Sequence, residues 1–187
     1  LGKLKPIFII GLPRSGSTLV ESLITQSSEK IHSFGESHTI NMSIFDTIAY
    51  EIYSENFDYK NFKFKINQEK FQNSLLERYG NFNDKIFIDK SLENFFNIDI
   101  ILNFFPQAKF LHTYRDFKDS IIGIYQRMMP DLSWSHSIEN ILNYANNYKN
   151  VIEYFKKKYP NNILDINLEN LTREKEVESK KIFDFCN

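Results

Sequence analysis

Residues 6–26, PIFIIGLPRSGSTLVESLITQ, constrain the fold of this chain more than any other stretch. The apolar, β-branched run at 7–10 predicts a buried parallel strand. The loop GLPRSGST follows at 11–18, and apolar residues then recur at helical spacing from residue 19. A strand, a glycine-bracketed loop and a helix in this order direct backbone N–H groups and a helix dipole at an anion. The segment therefore predicts an α/β fold with an anion-binding loop.

The loop differs from a Walker A loop in the position of its cation. In a Walker A loop a lysine follows the second glycine and reaches the β- and γ-phosphates. Here Ser17 follows Gly16, and the cation lies earlier, at Arg14. Ser15 and Thr18 add further hydroxyl donors. An anion that is smaller than magnesium triphosphate and needs no metal fits this loop better, although a plain βα turn is the structural alternative.

The motif PRSGSTLVE at 13–21 resembles the 5′-phosphosulfate loop of the sulfotransferases that use 3′-phosphoadenosine 5′-phosphosulfate (PAPS). It is most similar to the branch of the tyrosylprotein sulfotransferases and the bacterial sulfotransferases linked to TPR repeats. The resemblance runs from about residue 6 to the last residue. It implies PAPS as the donor, no metal, and a 5′-phosphosulfate site formed by Arg14, Ser15, Gly16, Ser17 and Thr18.

Length and composition indicate a single domain over residues 1–187. Hydrophobic residues make up 42% and charged residues 25%, and the formal net charge of −1 gives no reason to expect a nucleic-acid partner. No apolar run approaches the roughly 20 residues of a membrane span. We expect a cytoplasmic protein, with an upstream anchor or repeat domain left open. The resembled family continues with a basic loop over the nucleotide, and we expect this chain to lack that segment.

Glu36 lies in the sequence GES at 35–37, which follows a short predicted strand at 31–34 and starts a helical pattern that includes Ile40 and Ile44. Functional residues of α/β folds collect at such strand-to-helix junctions. A glutamate there could equally complement the helix dipole. The chemistry of the residue alone does not separate the two interpretations. The resemblance implies that Glu36 is the catalytic base.

Lys90 directly follows a predicted strand at 85–89 and so lies at the same sheet edge as the first loop. A solvated lysine is the alternative for any single lysine. The resembled branch carries Asp-Lys at this point, and the resemblance implies that Lys90 bridges the scissile oxygen and the transferred group.

Arg115 follows the next predicted strand, at 108–114, and is placed to bind a second phosphate. The resembled family binds the 3′-phosphate with an arginine and a serine eight residues later. Gly123 occupies that position here, so we expect Arg115 to bind the 3′-phosphate largely alone beside Gly123, with help from Ser120, which carries the nearest hydroxyl. Within the same strand, His112 is expected to be a core histidine and not a ligand.

The pattern as a whole predicts a three-layer α/β fold of the P-loop type, with a parallel sheet of about five strands and helices on both faces. The function that fits best is in-line transfer of a sulfonyl group from PAPS to a hydroxyl or amine. Two alternatives are a P-loop kinase or NTPase, with Asp89 as its only Walker B candidate, and a non-catalytic adenosine bisphosphate-binding relative. The acceptor could be a peptide tyrosine, a sugar, a lipid or a small alcohol, and residues 37–41 and 127–134 are expected to line its cleft.

Overall fold

The computed structural model describes residues 4–53, 66–80 and 86–186. Its centre is a parallel sheet of five strands in the order β2-β3-β1-β4-β5. The strands are β1 (Ile7–Gly11), β2 (Ile31–Ser33), β3 (Ile86–Asp89), β4 (Lys109–Tyr114) and β5 (Ile163–Asn167). β1 is the middle strand, and every residue in it is buried. The anion-binding loop therefore leaves the sheet at its centre.

Eight α-helices accompany the strands within the described residues. They are α1 (Ser17–Thr25), α2 (Thr39–Ile52), α3 (Gln68–Tyr79), α4 (Ile98–Phe104), α5 (Phe117–Arg127), α6 (Ile138–Lys158), α7 (Leu168–Arg173) and α8 (Lys175–Cys186). Short 3-10 helices lie at Leu92–Asn97 and Ser133–His136. No helix in the described ranges has the length and apolar character that crossing a membrane requires.

The residues of β1 alternate between two hydrophobic cores, one on each face of the sheet. Phe8 and Ile10 belong to the larger core, which contains side chains of α2 to α6. Ile7 and Ile9 belong to the smaller core, which contains side chains of α1, α7 and α8. A sheet between two helical layers is the predicted three-layer α/β fold, and the prediction is confirmed.

The element boundaries differ from the sequence prediction in three places. The helix after β2 begins at Thr39, because His38 has a φ of 53° that interrupts a right-handed helix and leaves Glu36 in the preceding loop. The apolar stretch at 94–105 divides into the 3-10 helix and α4. The short helix α7 was not predicted. The sequence also predicts a helix around 68–79, closed by Gly80, and α3 has these bounds. Residues 54–65 and 81–85, which include the start of the predicted strand at 85, lie outside the described residues.

A buried carboxyl group fixes the end of β3. Asp89 is completely buried, and its Oδ2 accepts hydrogen bonds from the Ser37 hydroxyl at 2.9 Å and the Tyr79 hydroxyl at 2.5 Å. Its Oδ1 accepts from the Ser91 N–H at 2.8 Å and from Asn94 Nδ2 at 3.2 Å. Among the described residues, no Lys, Arg or His forms an ion pair with it. Hydrogen bonds alone therefore compensate the loss of water around this carboxyl group.

His112 is a buried histidine with a hydrogen-bond partner on each ring nitrogen. Its Nδ1 lies 2.6 Å from Asp165 Oδ1, and its Nε2 contacts the Tyr148 hydroxyl. Lys156 Nζ lies 2.7 Å from the other oxygen of Asp165. These contacts connect β4, β5 and α6, so His112 is a core histidine, as the sequence predicted.

We predict that Tyr79→Phe lowers the free energy of unfolding by about 1–3 kcal/mol, because the buried Asp89 carboxyl group loses one of its four hydrogen-bond donors. The measurement is urea unfolding at neutral pH. Tyr53→Phe is the matched control, since Tyr53 is 77% exposed. Its stability should equal that of the wild type, and equal losses in the two variants would contradict this role of Tyr79.

We also predict that stability falls as the pH drops below about 6.5, the ordinary pKa of histidine. Burial lowers the pKa of His112, although the hydrogen bond to Asp165 opposes this. The unfolded chain therefore takes up a proton at a pH where the folded protein does not, and stability is lost as the pH falls toward the folded pKa. Burial raises the pKa of Asp165, but its bonds to His112 and Lys156 lower it overall, so its contribution is lost only in stronger acid.

Urea unfolding at pH 7.5, 6.5 and 5.5 measures this dependence. His112→Gln should be less stable at every pH, since it lacks the native hydrogen bonds, but its stability should change less between pH 6.5 and 5.5. The other histidines of the chain contribute equally to both proteins. Parallel pH profiles for the wild type and the variant would show that His112 does not cause the acid sensitivity.

Candidate active site

The loop between β1 and α1 is held in a backbone shape that its glycines permit. Gly16 has a φ of 91°, and a Cβ there would lie 2.5 Å from Leu168 Cδ1. Arg14 also has a positive φ, 68°, which is uncommon for a residue with a side chain. The Ser15 hydroxyl lies 2.7 Å from Thr113 Oγ1 and is buried, so it anchors the loop to β4 instead of facing solvent. Strain of this kind is typical of functional loops.

A cavity of about 880 Å³, here called the main cavity, opens in front of this loop. This size is within the range of small-molecule sites. The loop and the segments after β2, β3, β4 and α5 all contribute to its walls. The lining residues are Gly11, Pro13, Arg14, Gly16, Ser17, Thr18, Glu36, His38, Leu92, Glu93, Arg115, Arg127, Met129, Pro130, Asp131, Leu132, Trp134, Tyr144 and Leu168. The predicted cleft segments 37–41 and 127–134 thus both reach it, the first through His38.

Three arginines surround one end of the main cavity and also line a second cavity of about 380 Å³, here called the arginine cavity. They are Arg14, Arg115 and Arg127. Arg115 Nη2 donates to Asp119 Oδ2 at 2.9 Å, while its buried Nε has no hydrogen-bond partner. An unpaired buried donor among three cations is suited to an anionic ligand. The sequence prediction placed Arg127 in the acceptor cleft at 127–134 and gave it no role at a phosphate, because a single arginine in the last turn of a helix is also what the helix dipole favours.

Gly123 and Ser120 occupy different environments on α5. Gly123 lines the arginine cavity, and a Cβ there would lie 3.5 Å from Arg14 Cβ, an ordinary contact. Ser120 is buried, and its hydroxyl donates to the Asp116 carbonyl oxygen at 3.0 Å. Ser120 lines neither cavity, so the geometry does not support its predicted role as a donor to a phosphate.

Lys90 and Glu36 form an ion pair beside the main cavity. Lys90 Nζ lies 2.6 Å from Glu36 Oε1 and 3.8 Å from Glu21 Oε2. The side chain of Lys90 is 8% exposed and that of Glu36 is 57% exposed. The pair therefore consists of a buried cation and an exposed carboxylate that lines the main cavity. The structure brings together two residues that are 54 positions apart in the sequence.

A second carboxylate and an aromatic pair line the other end of the main cavity. Glu93 Oε1 contacts His38 Nδ1 and accepts a hydrogen bond from Asn41 Nδ2 at 3.3 Å. The rings of Trp134 and Tyr144 stack with centroids 3.8 Å apart and an interplanar angle of 3°. Sequence reasoning missed Glu93 and Tyr144, because an acidic residue in a first helical turn and an aromatic residue on an amphipathic helix are both typical of ordinary structure.

The arrangement is suited to moving an anionic group between two bound molecules. One end offers three guanidinium groups, loop amides and the hydroxyl groups of Ser17 and Thr18. The Lys90–Glu36 pair combines a positively charged side chain with a carboxylate that can accept a proton. Across the described ranges, no group of three or more His, Cys, Asp and Glu side chains could hold a metal ion.

Solved structures with the same fold include several sulfotransferases. Sulfotransferase STF1 from Mycobacterium tuberculosis H37Rv aligns over 98% of this chain and 67% of its own length, with a TM-score of 0.65 and 13% identity. The Alicyclobacillus acidocaldarius sulfotransferase gives a TM-score of 0.60 with 17% identity, over 97% of this chain and 80% of its own length. Mouse sulfotransferase SULT7A1, solved with PAP, gives a TM-score of 0.60 with 17% identity, over 98% of this chain and 59% of its own length.

One curated relative is an uncharacterized protein of Aquifex aeolicus (strain VF5), which is 23% identical over 193 residues. That alignment includes 97% of this chain, but the chain spans only a quarter of the length of the relative. The sequence model described as "Sulfotransferase family" matches residues 6–187, nearly the whole chain. The chain therefore belongs to the sulfotransferase family.

Proposed function

We propose that this protein transfers a sulfonyl group from PAPS to a hydroxyl or amine acceptor. The observation that carries the proposal is the convergence of three features on one cavity: the Arg14 loop, the arginine pair Arg115 and Arg127, and the Lys90–Glu36 pair. The family membership of residues 6–187 supports the same reaction. So does the fold shared with SULT7A1, whose structure contains PAP.

The residues at the arginine end fit a donor with two separate anionic groups. We assign the 5′-phosphosulfate to Arg14, Ser17, Thr18 and the loop amides, which line the main cavity. Ser15 contributes its backbone only, because its hydroxyl is bound to Thr113. Arg115 and Arg127 are assigned to the 3′-phosphate, beside Gly123 in the arginine cavity. These two guanidinium groups replace the hydroxyl that the family pattern would place at Gly123.

The transfer step breaks the bond between sulfur and the bridging oxygen and forms one between sulfur and the acceptor oxygen or nitrogen. Negative charge develops on the leaving oxygen, and Lys90 is assigned to stabilise it. The acceptor loses a proton, which Glu36 is assigned to take. Because the two side chains are paired at 2.6 Å, Lys90 must exchange Glu36 for the leaving oxygen, and this exchange frees the carboxylate for the acceptor.

The kinase alternative is not favoured by the surroundings of Asp89. A Walker B aspartate must be accessible to a magnesium site beside the phosphates. Asp89 is completely buried, and both of its oxygens accept hydrogen bonds from protein donors. Ser17 also lacks the ammonium group that a triphosphate site requires at that position. The non-catalytic alternative is not favoured either, because the two residues assigned to the transfer step, Lys90 and Glu36, are both present and paired.

Arg14→Ala should weaken the binding of adenosine 3′,5′-bisphosphate by about 10- to 100-fold, because charge-assisted hydrogen bonds to the phosphate are lost. Isothermal titration calorimetry measures the affinity. Arg173→Ala is the matched control, since Arg173 is exposed at the end of α7 and lines neither cavity. The affinity of the wild type should be the same with EDTA as with magnesium. An unchanged affinity in Arg14→Ala would show that the loop does not hold the nucleotide.

Glu36→Gln should reduce sulfonyl transfer by about 10²- to 10⁴-fold, because the amide keeps the shape of the side chain but cannot take a proton. Labelled PAPS and a fractionated cell extract as the acceptor source provide the assay. Affinity for adenosine 3′,5′-bisphosphate should stay near that of the wild type. Glu29→Gln, an exposed carboxylate outside both cavities, is the control. Turnover within a few-fold of the wild type would show that Glu36 is not the proton acceptor.

A further inference from the structure

The charged residues of the main cavity are segregated between its two ends. Arg14, Arg115 and Arg127 also line the arginine cavity and thus belong to the donor end. Glu93 and Asp131 line the main cavity only. Glu36 also lines the main cavity, but its charge is balanced by Lys90, which has Glu21 as a second carboxylate neighbour at 3.8 Å. The end that remains for the acceptor is therefore acidic before the donor binds.

The contacts of the two carboxylates leave their charge available. Glu93 contacts His38 Nδ1 and Asn41 Nδ2, and both contacts use its Oε1. Its Oε2 forms no hydrogen bond or ion pair within the described residues. Asp131 is exposed, and within the described part of the chain it forms no ion pair. A bound donor would neutralise the arginines, so the acceptor would meet a cavity of negative charge overall.

The aromatic pair at this end lies within the field of Glu93. Burial raises the pKa of the Tyr144 hydroxyl to about 12, and the negative charge of Glu93 adds to the shift. Tyr144 stacks on Trp134, and the neighbouring wall is apolar, with Leu92, Met129 and Leu132. A cation near an aromatic face is attracted by the ring, and a nearby carboxylate strengthens that attraction. Flat apolar groups suit the same wall.

We propose that the acceptor is a cationic one: a flat, apolar phenol or alcohol that carries a protonated amine, recognised by Glu93 and Asp131 beside the Trp134–Tyr144 stack. This inference rests on the proposed function, because it assigns the acceptor end of the same cavity. The two carboxylates would repel an acidic peptide or an anionic sugar. The negative charge of the donor would repel such acceptors as well.

Three phenols that differ chiefly in charge test the proposal: tyramine, 4-propylphenol and 3-(4-hydroxyphenyl)propionate. Calorimetry with protein saturated with adenosine 3′,5′-bisphosphate measures their binding without turnover. Tyramine should bind about ten-fold more tightly than 4-propylphenol, as expected for a partly desolvated ion pair with a cation–π contact, and the propionate should bind most weakly. Equal affinities, tighter binding of the propionate, or no binding of any of the three would overturn the proposal.

Variants assign the effect to the two carboxylates. Glu93→Gln and Asp131→Asn should each weaken tyramine binding several-fold and leave 4-propylphenol unchanged. Asp131→Asn decides the matter if Glu93→Gln folds poorly, because the exposed Asp131 has no ion pair to lose in the described structure. Glu139→Gln, an exposed first-turn residue of α6 outside both cavities, should match the wild type. A tyramine preference that survives both cavity variants would also overturn the proposal.

A failure of the proposed function is recognised separately. If adenosine 3′,5′-bisphosphate does not bind, the donor assignment is wrong, whatever the phenols do. The three phenols are then titrated into the nucleotide-free protein, where Glu93 and Asp131 are equally present. A tyramine preference there supports the cationic acceptor, and its absence overturns it.

Discussion

A buried carboxyl group with no ion-pair partner among the described residues, Asp89, holds together the two loops on which the proposed chemistry depends. It accepts from Ser37, which follows Glu36, and from the N–H of Ser91, which follows Lys90. Two more bonds connect the same loops: the Lys90 N–H donates to the Gly35 carbonyl at 2.8 Å, and the His38 N–H donates to Ser91 Oγ at 2.8 Å. A hub with four donors fixes both loops at once, because leaving any donor unpaired in the core is costly. The spacing of Lys90 and Glu36 is thereby built into the fold.

The separation of positive and negative side chains in the main cavity follows from the segments that leave the carboxyl ends of the strands. The β1 loop and the segment after β4 contribute arginines, and the segment after β3 contributes Glu93. Guanidinium groups bind phosphate or sulfate oxygens in pairs without a metal, whereas a triphosphate requires a lysine and magnesium to spread its larger charge. An arginine early in the loop and a serine after its second glycine are therefore consistent with a donor that carries less charge at the reacting group.

The sequence was sufficient for the parts of the fold that depend on local patterns. The strand, loop and helix of residues 6–26 were predictable, because hydrophobic period and glycine placement decide them over a few residues. The helix predicted around 68–79 and closed by Gly80 is observed at Gln68–Tyr79, where the Asn67 side chain also caps its start. The later start of α2, at Thr39, was not predictable, because the positive φ of His38 coincides with a long-range bond between its N–H and Ser91.

Most of the residues with a predicted chemical role in the candidate site stand beside a strand end. Arg14, Glu36, Lys90 and Arg115 meet that condition, and the structure gathers all four around the main cavity. Ser120 was chosen by proximity in sequence, but its hydroxyl turns back to a carbonyl within its own helix. In a helix, a serine hydroxyl often bonds to a backbone carbonyl of the preceding turn and is then not available to a ligand. Closeness in sequence does not reveal this bond.

An aspartate at the position of Asp89 can have either of two roles. An aspartate at the end of a buried strand in a P-loop fold can be an open metal ligand or an internal hydrogen-bond hub, and the sequence around it allows both. The distinction comes from Tyr79, at the end of the helix that precedes β3, and from Asn94 in the 3-10 helix that follows it. Together with Ser37 and Ser91 they occupy both carboxyl oxygens, which leaves no lone pair directed toward the cavity for a metal. Asp89 thus supplies no metal ligand to the proposed reaction, in which Lys90 and the arginines are assigned to stabilise the developing charge.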